Sequence, residues 1–353
     1  MKRLLIVCYL LLTACDQNNT HKDAPMNPLT DINTRLAFTC KYQIIPEASA
    51  DTDVLFKYAR WRQKNNLINW DKTVDAEIAR LYRIAAENGH YKASINLQNG
   101  ALRGRFSLSS HERLRLSQQL IDAKVAAGYY FIAIYLEHGA AGLAQDPEMA
   151  LRYYRKAADE GNPQAQAFLG EKLFPAKRAP QVAMQMFRCA ALQGEGKAAN
   201  SLGIMLTIDQ KYQDAVDVYQ LGVAAGDSGS ASFLEHGFAG PAPTDRLYYL
   251  ALEKDPERAR RYEQIGAVLA KYSWAQPVVP EINDIVPLPL PPAPLPEWDG
   301  KLKWLEEREA NIPPPAPDAT LIEKLAKAKQ LNPATGRPLP TSPDLEKDSV
   351  AAP

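Results

Sequence analysis

The chain has 353 residues, with 41 Lys plus Arg against 41 Asp plus Glu and a formal net charge of zero. That balance leaves no basic footprint, which argues against nucleic acid or an anionic membrane surface as an electrostatic partner. The five histidines are scattered, with no HExxH and no zinc-ligand spacing, so neither a metal site nor a cofactor is predicted.

Lys2-Arg3 followed by an apolar run over residues 4–12 reads as a secretory signal occupying 1–14, too short to span a bilayer as a stable helix. Leu12-Thr13-Ala14-Cys15 resembles the lipobox of bacterial lipoproteins. The resemblance implies cleavage before Cys15, lipidation of its sulfur, and anchoring by several acyl chains. Asp16 resembles an inner-membrane retention signal of such lipoproteins, which implies a body in the periplasm on the cytoplasmic membrane, with the outer membrane as the alternative. Residues 15–35 are polar and are expected to form a flexible tether. Once Cys8 leaves with the signal and Cys15 carries lipid, Cys40 and Cys189 remain. In an oxidising compartment they can pair, which would pin the segment before the repeats onto the fourth hairpin. Equally, Cys189 can be a small buried residue of a packing column.

Residues 36–73 are read as an N-terminal capping segment, with Val54, Leu55, Tyr58, Ala59 and Trp61 at helical spacing over 50–66. A repeat array over residues 74–275 follows. Gly89, Gly128, Gly161, Gly194 and Gly226 recur at intervals of 32 to 39 residues. A leucine follows each at a fixed offset (Leu97, Leu136, Leu169, Leu202, Leu234), and Tyr82, Ile121, Tyr154, Phe187 and Tyr219 precede them in register. A small residue recurs as Ala93, Ala133, Ala165, Ala198 and Ala231. A period of this size describes a helical hairpin, with Gly at the left-handed position that ends one helix. One hairpin cannot bury its own apolar face, so the units are expected to stack into an open superhelix with a concave surface.

The stretch Asp146-Pro147-Glu148-Met149-Ala150-Leu151-Arg152-Tyr153-Tyr154-Arg155-Lys156-Ala157-Ala158-Asp159-Glu160-Gly161-Asn162 resembles Sel-one-like repeats, which are related to tetratricopeptide repeats. The resemblance covers about residues 74–240 and implies an all-α solenoid with a capping helix at each end. The loops between helices depart from one another: Gly139-Ala140-Ala141-Gly142 in one copy, then Pro175-Ala176-Lys177-Arg178, then Asp209-Gln210-Lys211.

Asp255-Pro256-Glu257 opens a further helix running to about Tyr272, with Tyr262, Ile265, Val268 and Leu269 on one face. Over 277–296, eight of twenty residues are proline, which forces an extended course. A disordered linker is one reading. Val278, Val279, Ile282, Ile285, Val286, Leu288, Leu290 and Leu295 favour the other, an apolar strap lying along the solenoid within 276–331. Trp298 and Trp304 flank an expected helix over 300–309, a second is expected over 319–330, and 332–353 reads as a disordered tail.

No GxSxG elbow, P-loop or GxGxxG fingerprint occurs, so no catalytic residue is assigned and the chain is not read as an enzyme. Glu137-His138 and Glu235-His236 share a repeat offset and read as helix-terminus residues rather than acid–base pairs. The candidate partner-binding anchors are Tyr129, Tyr153, Tyr248, Trp298 and Trp304, because they fall outside the periodic core columns. A lipid-anchored body of Sel-one-like repeats ending in a proline-rich module resembles lipoproteins that act as immunity proteins of type VI secretion phospholipase effectors. That implies a protein partner, a periplasmically delivered phospholipase, blocked sterically. A scaffold for a resident envelope complex is the alternative.

Overall fold

A computed structural model describes residues 36–174, 179–288, 294–340 and 342. Among the described residues the chain is all-helical, without a strand. The solenoid is formed by α1 (Ala50–Asn66), α2 (Lys72–Glu87), α3 (Tyr91–Leu102), α4 (Ser110–Asp122), α5 (Ala127–His138), α6 (Pro147–Asp159), α7 (Pro163–Leu173), α8 (Pro180–Ala191), α9 (Gly196–Ile208), α10 (Tyr212–Ala224), α11 (Ser228–Phe238) and α12 (Pro256–Lys271). The starts are written locally. Asp146, Asn162 and Asp255 each accept a backbone N–H three residues on and are followed by a proline at the first helical position.

The aromatic column does the packing between units. Tyr82, Tyr154, Phe187 and Tyr219 are buried, and the rings of Phe187 and Tyr219 lie against Gly170 and Gly203, where a Cβ would collide with them. At the step from α3 to α4 the two helices make only marginal contact. There Phe106, from the connecting loop, fills the notch left by Gly100 and meets Tyr82 edge-on at 6.1 Å.

The second unit corrects the register expected from sequence. Gly128 does not cap a helix; it lies in the first turn of α5. The left-handed position is held by Lys124, with φ 60°, and its N–H reaches Ile121 O just as the Gly161 N–H reaches Ala158 O. Gly128 then aligns with Ala93, Ala165 and Ala198 as the small residue against the preceding helix, and a Cβ there would lie 2.5 Å from Ser117 O. Ser117, not the half-buried Ile121, occupies the aromatic column. The fully buried Tyr135 supplies the missing bulk, its hydroxyl donating to Gln98 Oε1 at 3.1 Å beside the Ser117 hydroxyl at 2.9 Å.

Two non-repeat segments complete the body. Residues 36–46 form no helix and lie across the repeats, with Phe38 buried in one cluster with Tyr154 and Met186. A disulfide joins Cys40 to Cys189. Gln166 Nε2 donates to Lys41 O at 3.0 Å, Gln43 N donates to Gln193 Oε1 at 2.9 Å, and Gln43 Oε1 accepts the Ala127 N–H at 2.7 Å.

At the other end, the chain after α12 packs across the last unit. Val279 N donates to Ala224 O at 2.9 Å, and Val279, Ile282, Ile285 and Val286 are buried in the core of α9 to α12. Arg261 donates to Ile285 O at 2.8 Å, and Gln220 Nε2 donates to Val286 O at 2.7 Å, so the strap's carbonyls are met by buried side chains. The short α13 (Ile282–Ile285) is part of this strap, and α14 (Lys303–Ala310) and α15 (Ala319–Ala328) follow it. Trp304 lies inside α14 rather than at its flank.

The strap then returns to the first units. Ile322, Leu325, Ala326 and Leu331 are buried with Ile78, Tyr82 and Ile84 of α2. Asn88 Nδ2 donates to Leu325 O at 3.1 Å and Lys324 pairs with Asp51 at 2.8 Å. The superhelix is therefore closed by its C-terminal segment, which corrects the expectation of an open one. The expectation of disorder from residue 332 is corrected as well: Arg80 donates to Pro333 O at 3.1 Å, Leu339 N donates to Gln330 O at 2.8 Å, and order extends to 340. Cys15, Asp16, residues 175–178, Leu290 and residues 343–353 lie outside the described residues.

Candidate binding surface

Where the C-terminal segment meets α1, a cleft of about 720 Å³ opens. Trp61, Lys64, Asn65 and Ile68 of the α1 region line it on one side of the junction, Trp304, Arg308 and Ile312 on the other, and Ala275 lines it as well. The walls are tied by side-chain hydrogen bonds between an indole and two carboxamides. Asn311 Oδ1 accepts from Trp61 Nε1 at 2.9 Å and from Asn65 Nδ2 at 3.0 Å, and Asn311 Nδ2 returns a bond to Asn65 Oδ1 at 2.8 Å. Asn311 adopts φ 43° at the end of α14, a conformation its residue type tolerates and one that stops the helix before Pro313-Pro314-Pro315.

Aromatic and cationic groups interleave beside the cleft. The Arg308 guanidinium lies 4.8 Å from the Trp274 ring, 5.6 Å from Trp304 and 5.9 Å from Tyr272. Three apolar side chains stay open to solvent: Ile68 at 59 %, Trp274 at 46 % and Ile312 at 79 % exposure. Glu306, Glu307 and Glu309 line the same cleft against Lys64 and Arg308. Desolvation holds the Lys64 ammonium below its ordinary pKa, with Arg60 adding to the effect and Glu307 opposing it. Trp, Arg and Ile with so much unpartnered apolar area are the composition of a binding anchor rather than of a catalytic centre.

Of the five sequence-predicted anchors, only Trp304 reaches this cleft, and the five do not converge. Tyr129 and Tyr153 lie together half-buried, ring centroids 6.4 Å apart, with Lys156 over Tyr129 at 5.6 Å. Tyr248 stacks on His236 at 4.2 Å. Trp298 is half-buried, its Nε1 donating to Lys301 O at 2.9 Å and its ring 5.8 Å from Arg261. Burial pushes the Tyr154 phenol's pKa far up, and Glu137, which accepts its hydroxyl at 2.6 Å, adds to the rise, while His138 is exposed. Sequence reasoning missed Trp61, assigned there to the face of a capping helix, and Ile68, Arg308 and Ile312. The one available signal was Ile312 itself, a large apolar residue ahead of a proline run with no helical face to join. Among the described residues no group of three His, Cys, Asp or Glu side chains is placed to hold a metal, and no helix is long and apolar enough to cross a membrane.

Comparison with known proteins places this geometry. Residues 126–162 and 163–195 match the Sel1 repeat, and 230–339 match DUF6396, a domain of unknown function. The DUF6396 span runs from α11 through the strap to the ordered turn after α15, so it contains the Trp304, Arg308 and Ile312 wall of the cleft. Among solved structures, the chain is similar to the immunity protein PA5088 from Pseudomonas aeruginosa: 26% identity, TM-score 0.55, over 72% of this chain and 94% of that one. It is similar to Pseudomonas aeruginosa PA5086 at 26% identity and TM-score 0.52, over 71% of this chain and 94% of that one. The immunity protein Pa5087 from the same organism, 24% identical with TM-score 0.53 over 71% of this chain and 94% of that one, shares the fold. The curated proteins contain no match. The chain carries Sel1 repeats and resembles these immunity proteins in fold, which supports a protein-binding role.

Proposed function

We propose that this chain is an immunity protein that captures a toxic protein and blocks it sterically, without chemistry of its own. The observation that carries the reading is the likeness to PA5088, an immunity protein, which extends over 94% of that structure and 72% of this chain. A closed array with a hydrophobic cleft offers a large preformed surface, and preformed surfaces bind without an ordering cost. Following the resemblance drawn from the repeats and the lipobox, the target is a type VI secretion phospholipase effector. The protein would meet it in the periplasm, anchored through Cys15 to the inner membrane where the phospholipid substrate lies.

The test is protection. Cells expressing a kin phospholipase effector directed to the periplasm should survive when this chain is co-expressed, and the purified chain should abolish the effector's lipase activity at a one-to-one ratio. Survival without the chain, or full lipase activity in its presence, overturns the reading. Replacing Cys15 by Ser should weaken protection by releasing the body from the membrane, measured by fractionation alongside survival.

A further inference from the structure

The position six residues before each left-handed turn of the array has a recurring role that one copy lacks. In register with Gly89, Lys124, Gly161, Gly194 and Gly226, it is filled by Arg83, Gln118, Arg155, Arg188 and Gln220. Three of these grip a main-chain carbonyl of a non-helical segment packed on the unit. Arg83 donates to Ser107 O, Arg155 to Leu36 O at 3.1 Å and Ala37 O at 2.7 Å, and Gln220 to Val286 O at 2.7 Å. Beside each gripped carbonyl a large apolar side chain is buried: Phe106 and Leu108 at the first, Phe38 at the second, Val286 itself at the third. Gln118 instead bonds Asp122 within its own helix.

Arg188, in α8, is exposed, and among the described residues no carbonyl or carboxylate meets its guanidinium. Its two arginine counterparts each hold a carboxylate as well as a carbonyl, Arg83 that of Glu112 at 2.5 Å and Arg155 that of Asp159 at 2.9 Å. Four residues after Arg188, where Arg155 finds Asp159, stands Leu192. Cys189 bonds to Cys40 of the segment that Arg155 grips, and one unit on its place is taken by Leu221 of α10. Leu192 and Leu221 are 50 % and 38 % exposed. The step from α8 to α10 thus repeats the donor and the apolar flank of the filled sites, with both acceptors missing.

A carbonyl inside a helix is already taken by the N–H four residues on, so an acceptor for this site has to come from a loop. A guanidinium without a counter-charge favours a carboxylate there too. We propose that the step between α8 and α10 binds a non-helical segment of the partner protein in which an Asp or Glu adjoins a large apolar residue, with carbonyl and carboxylate on Arg188 and the apolar side chain on Leu192 and Leu221. This rests on the immunity reading for the identity of the partner, and on the repeat register for the chemistry.

Two blocked synthetic peptides, Leu-Ala-Phe-Asp-Leu and Leu-Ala-Phe-Lys-Leu, serve as probes, titrated against the full chain by calorimetry. The Asp peptide should bind about tenfold more tightly than the Lys peptide, with the gap narrowing at high salt. Arg188→Gln, which keeps a carbonyl donor as Gln220 does but carries no charge, should abolish the preference. Leu192→Asp should weaken both peptides. Both side chains are exposed, so circular dichroism should not change. Equal binding of the two peptides, no saturable heat, or an Arg188→Gln variant that keeps the preference overturns the proposal. An effector captured as tightly by Arg188→Glu as by the wild type also overturns it, and leaves the immunity reading standing. Selective binding of the Asp peptide with no effector captured upholds the site and removes the immunity reading.

Discussion

Lys124 and Gly226 mark the two ways this chain uses the left-handed backbone. At Lys124 the conformation is carried by a residue that pays a steric penalty for it, so Lys124→Gly should stabilise the protein by about 0.5–1 kcal/mol, read as a small rise in the urea midpoint. At Gly226, with φ 89°, a Cβ would run into the carbonyl of Pro277 where the strap crosses the turn. Gly226→Ala should therefore lose more than about 2 kcal/mol. Gly194→Ala, with no atom within 4 Å of its Cβ, should lose only about 1 kcal/mol from conformation.

His90 is the residue whose protonation the fold opposes. Its Nδ1 accepts the Ala93 N–H at 3.1 Å, which requires an unprotonated nitrogen, and its ring stacks on Phe56 at 4.3 Å. Burial holds its pKa below the ordinary value, with Lys92 adding to the lowering and Asp53, 3.6 Å from Nε2, opposing it. The unfolded chain thus binds the proton more readily. Stability should be full above the unfolded histidine pKa of about 6.5 and fall as the pH drops below it toward the lower folded value. His90→Asn, which keeps a capping acceptor, should flatten that slope in urea melts compared at pH 7.5 and pH 5.5.

At the level of elements, most helix starts were legible because they are encoded within a few residues. Ser49, Asp255 and Asp318 each cap the helix that follows them, and α1, α12 and α15 begin where the sequence places them. The second repeat was misread for an equally local reason. A glycine fits both a left-handed cap and a tight helix contact, and nothing near Gly128 distinguishes the two until α4 is packed against it. The extended segment 36–46 has no periodicity to read, since its hydrogen bonds go to Gln166, Gln193 and Ala127 across the array. Its anchor is the disulfide, whose sequence separation of 149 residues makes chain entropy the larger part of its effect. Cys40→Ala with Cys189→Ala should lower stability by up to about 5 kcal/mol, measured by urea unfolding, and should expose residues 36–46 to protease before the helices.

For the whole molecule, the closure compensates for a weak step. α3 and α4 approach closely at few positions, and side chains carry the step, with Ser117 on Gln98 and the Arg83–Glu112 and Arg115–Glu87 pairs joining α2 to α4; in a stacked array the interface with the fewest contacts lets one side open independently of the other. Ile322, Leu325 and Leu331 supply the missing contacts to the first units from the far end of the chain. A chain ending at residue 300 should keep native hydrogen-exchange protection in α5 to α12. It should lose protection in α1 to α3 and show a larger radius of gyration by small-angle scattering. Equal protection across the array would show that the closure carries no stability.

By itself the sequence determined the helical hairpins, the aromatic and small-residue columns, the capping helices and the apolar character of the strap, because each is set by neighbours within a turn or two or by a repeating period. Only the tertiary structure decided that the array closes, that Cys40 meets Cys189, and that Trp61 and Trp304 share a cleft. Those outcomes depend on contacts such as Trp61 to Asn311, separated by 250 residues. Ordinary polar and apolar side chains make them, and their identity says nothing of their partner until the chain has curved far enough to bring them together.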